Sequence, residues 1–131
     1  MSRRLYVLSL FLLLSFAGLS VTAAADDATP APLTRVEAKK VCMVNDSLFT
    51  KDQIPVEVDK KTYYGCCEMC KDRLAKDAKA RTAADPVTGK AVDKALAVIG
   101  AAPDGSVLYF ENQESFDRYN QQATQPAEGS R

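Results

Sequence analysis

The chain has 131 residues, with 17 basic and 17 acidic side chains, four cysteines and neither histidine nor tryptophan. This length suffices for one small domain or two very small ones. The balanced charge excludes the basic surface that is typical of proteins that bind nucleic acid or anionic membranes. Because histidine is the usual general base, its absence leads us to expect no enzymatic activity.

The first 25 residues have the pattern of a secretory signal peptide. Arg3 and Arg4 precede an apolar run from Leu5 to Leu19, and the small residues Ala23–Ala25 provide a cleavage site. A retained membrane anchor is the alternative, but the apolar run is short for a span of about 20 residues. We therefore expect a periplasmic or secreted protein, with no membrane attachment after cleavage.

Two further segments have the composition of unfolded chain. Residues 26–33 resemble a flexible linker, and residues 123–131 resemble a disordered tail. The folded part is expected between them, and it divides into residues 34–82 and residues 83–122.

The first of these halves predicts a hairpin. Residues 34–40 favour a short helical lead-in, and Val41–Val44 favours a short strand or knuckle. Ile54–Val58 alternates as a strand, and residues 62–64 form the returning strand. Pro55 cannot donate a backbone hydrogen bond, which places the first strand of the hairpin at an edge.

A helix follows, from Cys66 or Cys67 to about Ala80. The second half predicts the same plan of a strand, a returning strand and a helix, at residues 95–99, 107–110 and 113–122.

The spacing of similar residues indicates an internal repeat. Tyr109 follows Tyr64, and Asp117 follows Asp72, by the same 45 residues. The cysteine positions of the first half are replaced in the second by Thr88, Glu111 and Ser115. The sequence therefore predicts an α+β fold of two tandem ββα units that share one core, with sulfur ligands in the first unit only.

The cysteines point to a soft metal ion. Cys66 and Cys70 are four residues apart, so a helix brings them onto one face, and Cys42 can supply a third sulfur. Sulfur ligation selects Cu(I), Zn(II) or similar ions over hard cations. Met43 and Met69 are thioethers next to cysteines, which favours copper(I), although core packing explains them equally well or better. We expect one ion per chain.

Other interpretations stay open from the residues alone. The fourth ligand could be Cys67, Met43, a solvent molecule or a residue of a second chain. Four cysteines in an exported protein also allow disulfides, through Cys67–Cys70 or through Cys42 and one member of the cluster. A zinc- or disulfide-stapled module for protein–protein interaction is the main alternative to metal handling, and a thiol oxidoreductase is a weaker one.

The string YYGCCEMCKDRL, at residues 63–74, is similar to the YYFCSxxCKxxF signature of the TRASH and YHS domains. These families are associated with heavy-metal sensing, trafficking and resistance, and include modules beside copper-transporting ATPases. The resemblance implies a treble-clef-like ββα unit and a metal-transport or metal-resistance protein as partner.

On the same pattern, Cys42, Cys66 and Cys70 are the implied ligands, and Cys67 stands where the family has serine. The second half, DPVTGKAV followed by VLYFENQESFDRY, resembles a YHS domain in which every cysteine is replaced. The sequence departs from the family pattern at Gly65, where an aromatic residue is expected, and at Cys42–Met43, where no glycine intervenes.

Overall fold

The computed structural model describes residues 30–125, a mixed α+β arrangement of small antiparallel sheets and two α-helices. Its strands are β1 (Thr34–Arg35), β2 (Val41–Cys42), β3 (Ser47–Leu48), β4 (Ile54–Val58), β5 (Lys61–Gly65), β6 (Thr82–Ala84), β7 (Ala91–Asp93), β8 (Val98–Ala101) and β9 (Val107–Phe110). Its helices are α1 (Glu68–Lys76) and α2 (Gln113–Thr124), and short 3-10 turns lie at Ala38–Lys40 and Ala78–Arg81. The predicted signal peptide and most of the predicted tail lie outside these residues.

The strands form one three-stranded sheet, in the order β1-β8-β9, and three two-stranded hairpins, β2-β3, β4-β5 and β6-β7. Each half of the chain therefore runs through a short hairpin, two longer antiparallel strands and a helix. Neither helix within residues 30–125 is long and apolar enough to cross a bilayer.

The predicted β4-β5 hairpin is confirmed, with Val56 opposite Tyr63. Asp59 and Lys60 both have positive φ, which matches the twist of a two-residue hairpin turn. Among the described strands β4 pairs with β5 alone, so Pro55 does lie at an edge.

The helical lead-in predicted for residues 34–40 is present only as the 3-10 turn at Ala38–Lys40. Thr34 and Arg35 instead pair with Ala101 and Gly100 as an edge strand of the large sheet. The preceding residue, Leu33, was placed in the flexible linker, but it is only 7% exposed and packs in the core. The start of the lead-in is extended because backbone pairing and Leu33 burial outweigh a weak capping pattern.

Three other elements have boundaries that differ from the prediction. The strand predicted from residue 95 begins at Val98, because the Asp93 carboxylate accepts the amide of Ala95 and holds a turn there. α1 begins at Glu68, after the start predicted at Cys66 or Cys67, because Cys67 is an extended N-cap residue, and it ends at Lys76, before the predicted Ala80. α2 continues to Thr124, two residues into the predicted tail.

The apolar residues form two clusters. The larger cluster contains residues of both halves, namely Val41, Met43, Val56, Tyr63, Leu74, Val92, Ile99, Ala101, Val107 and Tyr109. The smaller one joins Leu33 to Phe110 and Phe116, and the two phenylalanine rings meet edge to face at 5.4 Å. The first cluster lies directly behind β2 and the start of α1, where the cysteines are.

Candidate metal centre

Three cysteine sulfurs converge in the first half of the chain. The Sγ atoms of Cys42, Cys66 and Cys70 all lie within 4.8 Å of one another, and those of Cys66 and Cys70 are 3.6 Å apart. Metal–sulfur bonds of about 2.3 Å in tetrahedral geometry place neighbouring sulfurs about 3.8 Å apart. The three thiols therefore have the spacing that one soft ion requires.

The elements bring these sulfurs together from two directions. Cys42 ends β2, and the turn after it is tied to the hairpin by a 2.9 Å hydrogen bond from the Met43 amide to the Tyr64 carbonyl. Cys66 follows β5, and Cys70 lies in the first turn of α1. A knuckle and a helix N-terminus thus face each other, as the sequence predicted.

Gly65 permits the close approach of β5 and α1. A Cβ atom at this position would lie 3.0 Å from the Cys70 Cβ and 3.0 Å from the Lys71 backbone nitrogen. These distances are too short for a side chain without displacement of the helix start. The glycine, where the TRASH signature has an aromatic residue, therefore allows Cys70 to approach Cys66.

Amide groups surround the buried sulfurs. Burial alone would raise the pKa of Cys42, but the backbone amides of Asn45 and Val44 interact with its sulfur, and the pKa lies below the usual cysteine range. The side-chain amide of Asn45 also donates to the Cys66 sulfur at 3.7 Å. Such donors stabilise the thiolate, which is the form that binds a metal ion.

The other two thiols hold their protons more firmly. The neighbouring Cys42 thiol raises the pKa of Cys66, and burial adds to this effect. Burial raises the pKa of Cys70 to about 12, and the thiols of Cys67 and Cys66 act in the same direction. An ion that binds all three sulfurs must therefore displace protons from Cys66 and Cys70.

Access to the three sulfurs is uneven. Cys42 is fully buried and Cys70 is 8% exposed, whereas Cys66 is half-buried. Cys66 also borders an open cavity of about 300 Å³ that is lined by residues 49–54. An incoming ligand can reach the Cys66 sulfur through this cavity.

The remaining predicted ligands differ in burial, and Cys67 lies outside the group of three sulfurs. Cys67 is exposed at the N-cap position of α1, and the backbone amide and thiol of Cys70 lower its pKa. Met43 is fully buried in the larger apolar cluster. Met69 is 83% exposed. All four cysteines are free thiols in the structure.

The second half presents a different arrangement at Thr88, Glu111 and Ser115. Ser115 donates from its hydroxyl to both carboxylate oxygens of Asp85, at 2.8 and 2.6 Å. The backbone amides of Glu111 and Thr88 donate to the same carboxylate, at 2.9 and 3.2 Å. These positions therefore surround a buried carboxylate.

Two polar residues that the sequence did not single out shape this region. Asp85 is 1% exposed and Lys94 is 5% exposed. Aspartate and lysine in polar segments are usually solvated, so neither residue gives a local signal of burial. Asp46, whose side chain is partly exposed, pairs with Lys94 at 2.6 Å.

Comparisons of the chain with known protein families, with curated proteins and with solved structures gave no significant match. The resemblance to TRASH and YHS domains accordingly depends on the motif at residues 63–74 and on the similar, cysteine-free segment of the second half. The site itself is defined by its geometry, three free thiols spaced for one soft ion.

Proposed function

We propose that this protein is an exported heavy-metal-binding protein that holds one Cu(I) ion between Cys42, Cys66 and Cys70. The observation that carries the proposal is the convergence of three free thiols within 4.8 Å. Thiolate ligands select soft ions such as Cu(I), Zn(II) and Cd(II). Structural zinc sites are almost always four-coordinate, so a set of three sulfurs favours Cu(I).

The ion in this proposal is cargo, and no bond-making chemistry is involved. Cys66 is the most exposed of the three ligands, and it borders the cavity that residues 49–54 line. A sulfur from a metal-transport or metal-resistance protein can displace Cys66 from that side. Exposed Cys67, next to the site, is a candidate for the fourth ligand during exchange.

We further propose that the two halves are tandem TRASH/YHS-type units with treble-clef-like ββα cores, of which the second has lost its ligands. The repeated order of elements supports this proposal. So does the position of Ser115 and Glu111 around Asp85, since these residues stand 45 positions after Cys70 and Cys66. Export rests on the signal-peptide pattern of residues 1–25, which lie outside the described structure.

A zinc-stapled interaction module is the second candidate. It is favoured by two adjacent exposed apolar side chains, since Leu48 is 37% exposed and Phe49 beside the site is 39% exposed. Such residues can contribute to a protein interface. In that case Zn(II) would join β2 to the start of α1 and stabilise a small domain.

Metal titration of the protein produced from the full-length sequence tests the proposal. Competition of Cu(I) and Zn(II) against chromophoric chelators gives affinity and stoichiometry, and mass spectrometry shows whether cleavage follows Ala25. We expect one tightly bound Cu(I). Cys66→Ser and Cys70→Ser are each expected to weaken binding by more than about 100-fold, since loss of a ligand exceeds the effect of losing a supporting residue.

Cys67→Ser is the matched control, because it removes the adjacent thiol outside the three. We expect it to keep the stoichiometry of one ion. Unchanged affinity in both Cys66→Ser and Cys70→Ser would refute the proposal, and tight binding of Zn(II) with none of Cu(I) would favour the interaction module.

A further inference from the structure

Lys94 is a buried lysine in the turn after β7, in the half of the chain that lacks cysteines. Its side chain is 6% exposed. A buried ammonium group is costly unless it is paired and hydrogen-bonded. The position of Lys94 therefore depends on the partners that its Nζ atom contacts.

Those partners belong to the segment that carries Cys42. Lys94 Nζ donates to the backbone carbonyl of Met43 at 2.6 Å and to the Asp46 carboxylate at 2.6 Å. The same nitrogen lies 4.8 Å from the centre of the Tyr109 ring, which faces the charge. One side chain thus holds both ends of the turn at residues 43–46.

This turn determines where the Cys42 sulfur and its amide donors lie. Asp46 has a φ of 50°, a left-handed conformation that aspartate adopts more readily than most residues other than glycine. The Asp46 carbonyl accepts the Val107 amide at 3.0 Å, which is a second link to the other half. The amides of Val44 and Asn45, which interact with the Cys42 sulfur, lie between the two groups that Lys94 holds.

We propose that Lys94 is a positioning residue for the metal centre, through which the cysteine-free half holds Cys42 at the correct distance from Cys66 and Cys70. This inference rests on the proposed metal binding. Lys94 touches neither the ion nor a sulfur. It acts through the Met43 carbonyl and the Asp46 carboxylate, as groups outside the ligand shell commonly orient metal ligands.

The test compares Lys94→Met with two other variants of the same protein, produced from the full-length sequence. Lys94→Met keeps the length and apolar stem of the side chain but removes its donors. Lys94→Arg keeps a charged donor group. Lys90→Met is the matched control, because Lys90 is an exposed lysine of the same half that pairs with Glu111 at 3.3 Å.

We expect Lys94→Met to weaken Cu(I) and Zn(II) binding by about 10- to 100-fold. Lys94→Arg should recover most of this loss, and Lys90→Met should bind as the unmodified protein does. With cobalt(II) as a spectroscopic probe at saturation, the sulfur-to-metal charge-transfer band of Lys94→Met should change in position or intensity, because the Cys42 sulfur is less well oriented toward the ion. A residue that only stabilises the fold would leave this band unchanged.

Each result decides between the two proposals. If the unmodified protein binds one ion and Lys94→Met binds it equally well, the positioning role is overturned while the metal-binding function stands. An equal loss in Lys94→Met and Lys90→Met would also overturn it, since a general charge effect would then suffice. If the unmodified protein binds no ion, the metal-binding function fails and the positioning role fails with it.

Asp46→Asn covers the case in which Lys94→Met does not fold. The Asp46 side chain is 46% exposed, so asparagine can be hydrated there while Lys94 keeps its bond to the Met43 carbonyl. We expect a several-fold loss of affinity in this variant, and an unchanged affinity would overturn the positioning role.

Discussion

Asp85 organises the second half of the chain as a single residue. It is 1% exposed, and its carboxylate accepts hydrogen bonds from the Ser115 hydroxyl and from the backbone amides of Val87, Thr88 and Glu111. Burial alone would raise the pKa of Asp85, but these donors favour the charged form, and the pKa lies below its usual range. The carboxylate joins the turn after β6 to the start of α2.

This arrangement predicts an acid sensitivity. Because the pKa of Asp85 is lower in the folded than in the unfolded chain, its contribution to stability is fully present above the unfolded value of about 3.9. That contribution is lost as the pH falls through the folded pKa. Asp85→Ala leaves buried donors without an acceptor, so we expect a loss of about 3 kcal/mol at neutral pH.

Urea denaturation between neutral pH and pH about 3 measures both effects. The free energy of unfolding of Asp85→Ala should also fall less steeply in acid than that of the unmodified protein. Asp72→Ala, at an exposed position of α1, is the control and should change stability little. Equal stabilities of Asp85→Ala and Asp72→Ala would contradict the role assigned to Asp85.

The sequence predicted the cysteines of the site but not the polar residues around it. The closeness of Cys66 and Cys70 was predicted from an i, i+4 helix face, but Cys66 precedes α1, and the bend at residues 66–67 brings the two sulfurs to 3.6 Å. Lys94 and Asp85 are buried by partners far along the chain, with Lys94 and Met43 separated by 51 residues. No local pattern distinguishes such residues from solvated ones.

At the level of elements, the contact between β5 and α1 controls the geometry of the site. Gly65 is the residue of closest approach, and an added Cβ would meet backbone and Cβ atoms of Lys71 and Cys70 at 3.0 Å. Gly65→Ala should therefore push the start of α1 away from β5. We expect a loss of stability of about 1–3 kcal/mol, the usual cost of overpacking.

The same substitution should weaken metal binding, because Cys70 moves with the helix while Cys42 and Cys66 do not. Chelator competition on Gly65→Ala measures this effect, and thermal unfolding measures the loss of stability. Ala75→Gly is a useful comparison, since it destabilises the exposed part of α1 by about 1 kcal/mol without touching the cysteines. If both variants bind metal equally well, the close packing at Gly65 does not control the site.

Elements defined by local chemistry were predicted well. The β4-β5 hairpin is fixed by alternation and by a tight turn, and β9 was placed at Val107–Phe110 as observed. β1 was missed because its structure comes from pairing with β8, with Thr34 opposite Ala101. Long-range pairing of a two-residue strand leaves no periodicity in the sequence.

At the scale of the whole molecule, the two halves are connected beside the three clustered cysteines. The Val107 amide donates to the Asp46 carbonyl and the Leu48 amide donates to the Gly105 carbonyl, at 3.0 and 2.8 Å. The larger apolar cluster also contains residues of both halves. The turn that follows Cys42 is thus held by hydrogen bonds and apolar contacts that do not involve a cysteine sulfur.

These contacts predict that removal of the ion leaves the fold intact. The turn at residues 43–46 keeps its hydrogen bonds to Lys94 and Val107. The second half keeps the hydrogen bonds to the buried Asp85 carboxylate. The reduced protein treated with a chelator should still unfold cooperatively on heating. Bound metal should add stability by mass action, about 4 kcal/mol when the free ion exceeds its dissociation constant about 1,000-fold.

Circular dichroism during thermal unfolding, with and without the chelator, measures the added stability, and amide NMR spectra show which half responds. Cys70→Ser is the control, because a chelator should not alter a variant that cannot hold the ion. If chelation instead collapses the chemical-shift dispersion of residues 41–76, as unfolding would, while residues 82–124 keep their dispersed signals, the ion is a structural staple. The interaction module would then replace metal handling as the better account of the protein, because an ion required for folding cannot be released to a partner without loss of the domain.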